Sequence, residues 1–315
     1  MQLTHQADNP QARTLPPRPA ANRFNAPEHY KPAPELWAAV QTALHLGLPL
    51  LVTGEPGCGK TDLAAHIAWY YGLGKPETFN GQTSSTVTDL FYTYDALRHF
   101  QHAQVMRDAP LTPDIVERDY IRYQALGAAI KSGQTRLVLL DEIDKAPRDL
   151  PNNLLAALEK LTFSVPETGD PARFTYTAMP ENRPIIIMTS NSEKNLPDPF
   201  LRRVAFFDIK FPGPDELLDI LRTKLEGFQN LDAPRVISLF ERIRKADFGV
   251  LNKKPATAEL LHWAAVLLKL GVDTARLDNP AALGAEQRRL LGYSLPVLAK
   301  TRNDLETLKK SLVTG

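Results

Sequence analysis

Over residues 1 to about 33 the chain shows little apolar periodicity, and Pro, Gln, Asn and Arg dominate, as in Leu15-Pro16-Pro17-Arg18-Pro19. So little surface could be buried there that ordering would cost more than it returned, and residues 1–33 are expected to form an extended or disordered arm. Helical spacing begins at Pro34, with Leu36, Val40 and Ala43 on one face and Gly47 as the stop. The unbroken run Leu48 to Val52 reads as a buried strand, and Leu63, Ala64, Ile67 and Ala68 return to helical spacing before Gly72 and Gly74. Glu77 to Gln82 is a short strand candidate.

The next stretch is less regular. Thr88 to Gln104 is expected to be one helix carrying Leu90, Phe91, Tyr94 and Leu97 on one side. Asp108 to Asp119, with Pro110 and Pro113, reads as loop, and Tyr120 to Ile130 as a helix that stops before Gly133. Arg136 to Glu142 is the strongest strand signal in the chain, an apolar run ending in two carboxylates; continuous apolarity implies burial on both faces, as in a parallel sheet covered by helices. A helix over Leu150–Leu161, a hairpin formed by Phe163–Val165 and Arg173–Thr177, and strands at Pro184–Thr189 and Val204–Phe211 follow. Beyond Pro212 only helical patterns remain: Pro214–Leu225, Ala233–Lys245, Ala256–Leu270 and two more near 285–311. The expected fold class is therefore α/β, with an arm at 1–33, a core domain at 34–212 and a smaller, all-helical domain at 213–315.

Composition narrows the function. The chain has 315 residues, 43% hydrophobic and 23% charged, which suits a soluble globular protein of two packed units. Its formal charge of +1 supplies no basic footprint for nucleic acid, which makes such a partner unexpected. No run approaches transmembrane length, the N-terminus lacks the apolar core of a signal peptide, and a cytoplasmic location is the expectation. The sole cysteine, Cys58, excludes an internal disulfide.

The chemistry is concentrated where strand gives way to helix. Gly54-Glu55-Pro56-Gly57-Cys58-Gly59-Lys60-Thr61 reads G-x-x-x-x-G-K-T between an apolar run and a helical face, which is the context a phosphate-binding loop requires. Glycines let backbone N–H groups turn onto phosphates, Lys60 adds a point charge, and the Thr61 hydroxyl is a ligand for Mg²⁺. Asp141 is placed to complete the Mg²⁺ shell through water, and Glu142, the next residue, to polarise a water attacking the γ-phosphate. Asn191, at the tip of the following buried strand, can orient that water or close the strand as an Asx turn. Arg202 and Arg203 read equally as a surface pair or as a guanidinium fork offered to a phosphate across a subunit interface.

Taken in order, Gly54–Thr61, Leu137–Ala146 (LVLLDEIDKA), Thr189-Ser190-Asn191 and Leu196–Arg203 (LPDPFLRR) resemble the AAA+ ATPase superfamily, and within it the MoxR-like family. The resemblance covers most of residues 36–270. It implies a five-stranded parallel sheet, a small helical lid, ATP with Mg²⁺ as the bound species, and a homo-oligomeric ring, usually a hexamer. It further implies Asn191 as a sensor residue, and Arg203, with or without Arg202, as an arginine finger. The segment 83–119 and the hairpin 163–177 resemble inserts that face a pore and touch a client protein; Phe174 and Tyr176 are then either client-gripping residues or side chains packing the hairpin onto its own domain. Members of that family often carry an arginine at the start of a lid helix, whereas Lys253-Lys254-Pro255-Ala256 stands here, where Lys254 can replace its charge but not its bidentate fork. The implied activity is ATP-driven remodelling or maturation of a protein client, such as one with a von Willebrand factor A domain. Two rival readings are a motor subunit of a nucleic-acid-acting restriction or defence complex, and a small-molecule kinase.

Overall fold

The computed structural model describes residues 24, 26–105, 111–147, 150–191 and 196–314. Residues 1–23 and 25 of the expected arm, and 108–110 of the expected loop, lie outside the described residues. The chain divides into two compact units, one of Pro32–Glu55 and Gly59–Ile209, the other of Lys210–Gly315 with Pro56–Cys58 and what is described of Met1–Lys31.

In the first unit α1 (Pro34–Leu46) leads to β1 (Leu50–Gly54), α2 (Lys60–Tyr70) and β2 (Glu77–Asn80). Then come α3 (Thr88–Phe91), β3 (Tyr92–Tyr94), α4 (Ala96–Val105), α5 (Pro113–Tyr120), β4 (Ile121–Tyr123) and α6 (Ala125–Lys131). The remainder is β5 (Leu137–Asp141), α7 (Leu150–Lys160), the hairpin β6 (Thr162–Ser164) and β7 (Thr175–Thr177), β8 (Ile185–Thr189), α8 (Asp198–Leu201) and β9 (Ala205–Ile209).

Five strands form one parallel sheet in the order β2-β5-β8-β1-β9, which is the sheet the sequence resemblance implies. The three inner strands β5, β8 and β1 are buried almost throughout, as unbroken Leu, Val and Ile runs require, while the edge strands β2 and β9 alternate between more and less exposed positions. Because β5, β8 and β1 are parallel neighbours, their carboxyl ends lie side by side. That edge is where ligands bind in open parallel sheets. Leu51, Val138, Leu140 and Met188 from these strands share one core with Leu126 and Ile130 of α6 and Leu154 and Leu158 of α7.

The segment after β2 departs from expectation. Neither long helix forms: Tyr92–Tyr94 and Ile121–Tyr123 leave their helices and pair antiparallel, Tyr92 opposite Tyr123. Tyr92 and Ile121 turn inward and Thr93 and Arg122 outward, the alternation of a half-buried strand. Pro113 does not mark a loop but the first turn of α5, with the Thr112 hydroxyl accepting from the Ile115 N–H as N-cap. Gly127 lets α6 lie against Phe91, whose carbonyl oxygen would be 1.9 Å from any Cβ at that position.

The second unit is helical, with α9 (Pro214–Lys224), α10 (Ala233–Arg244), α11 (Thr257–Leu270), α12 (Ala285–Ser294) and α13 (Arg302–Lys309). Leu217, Leu221, Val236, Phe240 and Leu260 share one core with Trp263, which is fully buried. Its indole N–H donates to Ser294 Oγ at 2.8 Å, so the buried donor is satisfied. No helix among the described residues is long and apolar enough to cross a membrane.

Candidate nucleotide site

The chain leaves β1 at Gly54 and enters α2 at Lys60, and the intervening turn relies on glycine. Gly54, Gly57 and Gly59 have φ of 144°, 76° and 93°, a region that side chains disfavour. Glu55, Pro56 and Gly57 are exposed, and Cys58 is buried and in the free thiol form. The Lys60 ammonium is almost fully covered and donates to Gly54 O at 2.7 Å, Glu55 O at 3.1 Å and Asn191 Oδ1 at 3.0 Å. All three of its N–H bonds therefore point at oxygen atoms across the mouth of the loop.

Thr61, one residue further into α2, donates from Oγ1 to the Asp141 carboxylate, 3.2 and 3.3 Å from its two oxygens. Asp141 ends β5 and is fixed from its other side by the Thr189 hydroxyl, which donates to Oδ1 at 2.5 Å. The same hydroxyl accepts the Glu142 N–H at 2.9 Å. Thr189 is thus the pin between β5 and β8, and it is fully buried. The sequence motif Thr189-Ser190-Asn191 contains it without giving it a role; the signal for one is a hydroxyl ending an otherwise apolar strand beside the acid-bearing one.

Glu142 sits in the left-handed backbone region, φ 53° and ψ 48°, unusual for a residue with a long side chain. Its carboxylate forms an ion pair with Lys145 and faces the Asn191 side-chain amide at 3.5 Å. The hydrogen bond from Lys145 holds the Glu142 carboxyl below the usual glutamate range; the Lys145 charge, Asn191 and Lys60 act in the same direction against desolvation. The Asn191 amide has only one consistent orientation, since its oxygen must face the Lys60 ammonium and its NH₂ the Glu142 carboxylate. Its backbone N–H donates to Asp144 Oδ1 at 3.3 Å, tying the end of β8 to the turn after β5.

Lys60, Thr61, Asp141, Glu142 and Asn191 are therefore gathered at one edge of the sheet. Arg202 and Arg203 are not part of that cluster: both follow α8 and are exposed, and Arg203 pairs with Glu159 of α7 at 3.6 Å. No hydrogen bond or ion pair joins either arginine to the cluster among the described residues. In the second unit Lys253 and Lys254 are exposed ahead of α11, and Asp304 of α13 anchors that stretch by accepting from the Asn252 N–H at 2.7 Å. Arg244 of α10 brings a guanidinium to the same place, donating to Pro255 O and lying 3.5 Å from the centre of the Phe211 ring. Phe174 is buried and Tyr176 half-buried, its ring 5.3 Å from that of Phe163, so of the two readings for these residues packing onto their own domain describes them.

The donors suit a nucleotide with a divalent cation. No group of three or more His, Cys, Asp or Glu side chains that could cage a metal occurs among the described residues. One hydroxyl beside one carboxylate is instead what Mg²⁺ takes when phosphate and water supply its remaining oxygens.

A glycine loop running from strand into helix, with an acid at the end of a nearby parallel strand, defines a P-loop nucleotide-binding fold. Residues 49–204 match the family model of the AAA domain (dynein-related subfamily). Two similar proteins are the gas vesicle ATPase GvpN of Haloferax mediterranei and the gas vesicle ATPase GvpN1 of Halobacterium salinarum. Each is 26% identical over 209 residues, 64% of this chain and 58% of the relative.

Proposed function

We propose that this chain is a MoxR-like AAA+ ATPase that hydrolyses ATP in a ring of like subunits and uses the cycle to remodel or mature a protein client. The observation carrying the proposal is the convergence of Lys60, Thr61, Asp141, Glu142 and Asn191 from three neighbouring strand ends. Backbone N–H groups of Gly54–Thr61 and the Lys60 ammonium bind the phosphates. Thr61 and Asp141 hold Mg²⁺, which when bound neutralises phosphate charge. Glu142 takes the proton of the attacking water, and its ionised state, favoured by Lys145, suits it to that task. Asn191 holds both Glu142 and Lys60 in register. The names of the two relatives, both ATPases, support the same chemistry.

Arg203, with Arg202 beside it, is proposed to act on the γ-phosphate of a neighbouring subunit. Its pair with Glu159, with both side chains more than half exposed, restrains it by about 0–1 kcal/mol at most. A ring, usually a hexamer, and a client with a von Willebrand factor A domain complete the reading, together with a cytosolic setting suited to the thiol of Cys58. The test is phosphate release from ATP with Mg²⁺, measured beside the mass of the particle with and without nucleotide. Phosphate release and an ATP-dependent rise in mass are expected; ATP binding without any release would contradict the enzymatic reading.

A further inference from the structure

The helical unit contains a cleft unrelated to the nucleotide cluster. It has a volume of about 480 Å³ and runs between α12 and the last turn of the chain, Lys310–Thr314. Gly292 sets its depth: a Cβ there would come within 3.2 Å of Val313 Cγ2, so only glycine lets the two segments approach this closely without displacing that side chain. Gly292 and Val313 provide an apolar floor, and Tyr293, 46% exposed, an aromatic wall.

The rim is cationic. Arg288, Arg289 and Lys309 line it, no acidic residue does, and none of the three makes an ion pair or side-chain hydrogen bond among the described residues. Most other arginines of this unit are paired: Arg222 with Asp219, Arg235 with Asp232 and Asp278, Arg242 with Asp247, Arg276 with Asp273 and Arg302 with Glu306. Three neighbouring cations left without counter-charge around an apolar floor describe a surface complementary to something acidic that also carries an apolar group.

We propose that this cleft binds an acidic peptide segment of a partner protein, with an apolar side chain seated on Gly292 and Val313 and carboxylates on Arg288, Arg289 and Lys309. A nucleic-acid backbone would satisfy the cations, but its sugars are flanked by phosphates and hydroxyls and it has no aliphatic side chain to seat on the floor. The chain's own residues 1–23 carry Arg13, Arg18 and Arg23 against Asp8 alone, so their charge repels the rim.

The inference is independent of ATP hydrolysis and is tested without it. A fluorescent peptide of alternating Glu and Leu is titrated by anisotropy against the full chain, at low and high salt, beside a peptide with Ser in place of Leu and a single-stranded oligonucleotide of equal charge. The Glu-Leu peptide is expected to bind in a salt-sensitive manner, at least tenfold more tightly than the other two. The R288E/R289E variant and, separately, K309E should each lose tenfold or more while keeping the wild-type unfolding temperature; a variant that fails to fold is replaced by the other. Equal binding by wild type and folded variants would overturn the proposal. Preference for the oligonucleotide, or a concentration-dependent self-association that R288E/R289E abolishes, would also overturn it by assigning the cleft to nucleic acid or to a second copy of this chain.

Discussion

Lys60 and Asn191 are 131 residues apart in the chain and meet at 3.0 Å, ammonium to amide oxygen, across the carboxyl ends of two adjacent parallel strands. The contact holds the charge proposed to face phosphate and the amide that faces Glu142 in one geometry. Replacing Lys60 by Ala removes a charged donor to phosphate, worth about 1.5–3 kcal/mol, which corresponds to roughly ten- to hundredfold in affinity. Calorimetric titration with ATP should read that loss, and unchanged affinity would remove Lys60 from the site.

Thr189→Val is nearly isosteric but strips Asp141 of a donor and leaves the Glu142 N–H without its acceptor. An unsatisfied buried donor costs about 1–3 kcal/mol, so the unfolding midpoint should fall. Turnover should fall further than ATP affinity does, because the groups displaced are those assigned to metal and water and not the phosphate loop. Unaltered turnover at lowered stability would restrict Thr189 to a structural role.

These two contacts also mark how far the sequence can be read. Gly54–Thr61, Asp141, Glu142 and Asn191 were legible because each stands at a strand end recognisable from continuous apolar burial. Thr189 stands inside the Thr189-Ser190-Asn191 motif, but its role does not follow from it, since its two hydrogen bonds depend on how β8 aligns with the end of β5, which spacing along one chain does not give. The segment after β2 was misread for a related reason. Leu90, Phe91, Tyr94 and Leu97 fit a helical face, yet Tyr92–Tyr94 finds a strand partner in Ile121–Tyr123 beyond two intervening helices, and the pairing overrides the local pattern. Pro110 and Pro113 suggest a loop, yet Pro113 begins a helix, and Thr112 ahead of it carries the cap signal.

The pH dependence follows from Lys145. Its hydrogen bond is the largest influence lowering the Glu142 pKa, so wild-type Glu142 stays ionised somewhat below the ordinary glutamate range. In Lys145→Met that influence is lost, the pKa rises, and the acid limb of the hydrolysis profile should move to higher pH, with little change on the alkaline side. An acid limb that stays in place would uncouple Lys145 from the base.

Arg203→Ala should bind ATP as the parent does and hydrolyse it poorly, by a factor of about 10³ or more if the guanidinium acts as a finger. Mixed with Lys60→Ala, it should recover part of the activity, since hybrid interfaces pair an intact loop with an intact arginine. Absence of recovery at every mixing ratio would argue against action across subunits.

The central claim is that Glu142 takes the proton of the water that attacks ATP. It is tested most directly by measuring ATP affinity and single-turnover hydrolysis on the same preparation of Glu142→Gln. Affinity should stay within a fewfold of wild type while the hydrolysis rate falls by about 10²–10⁴; hydrolysis at the wild-type rate would contradict the assignment.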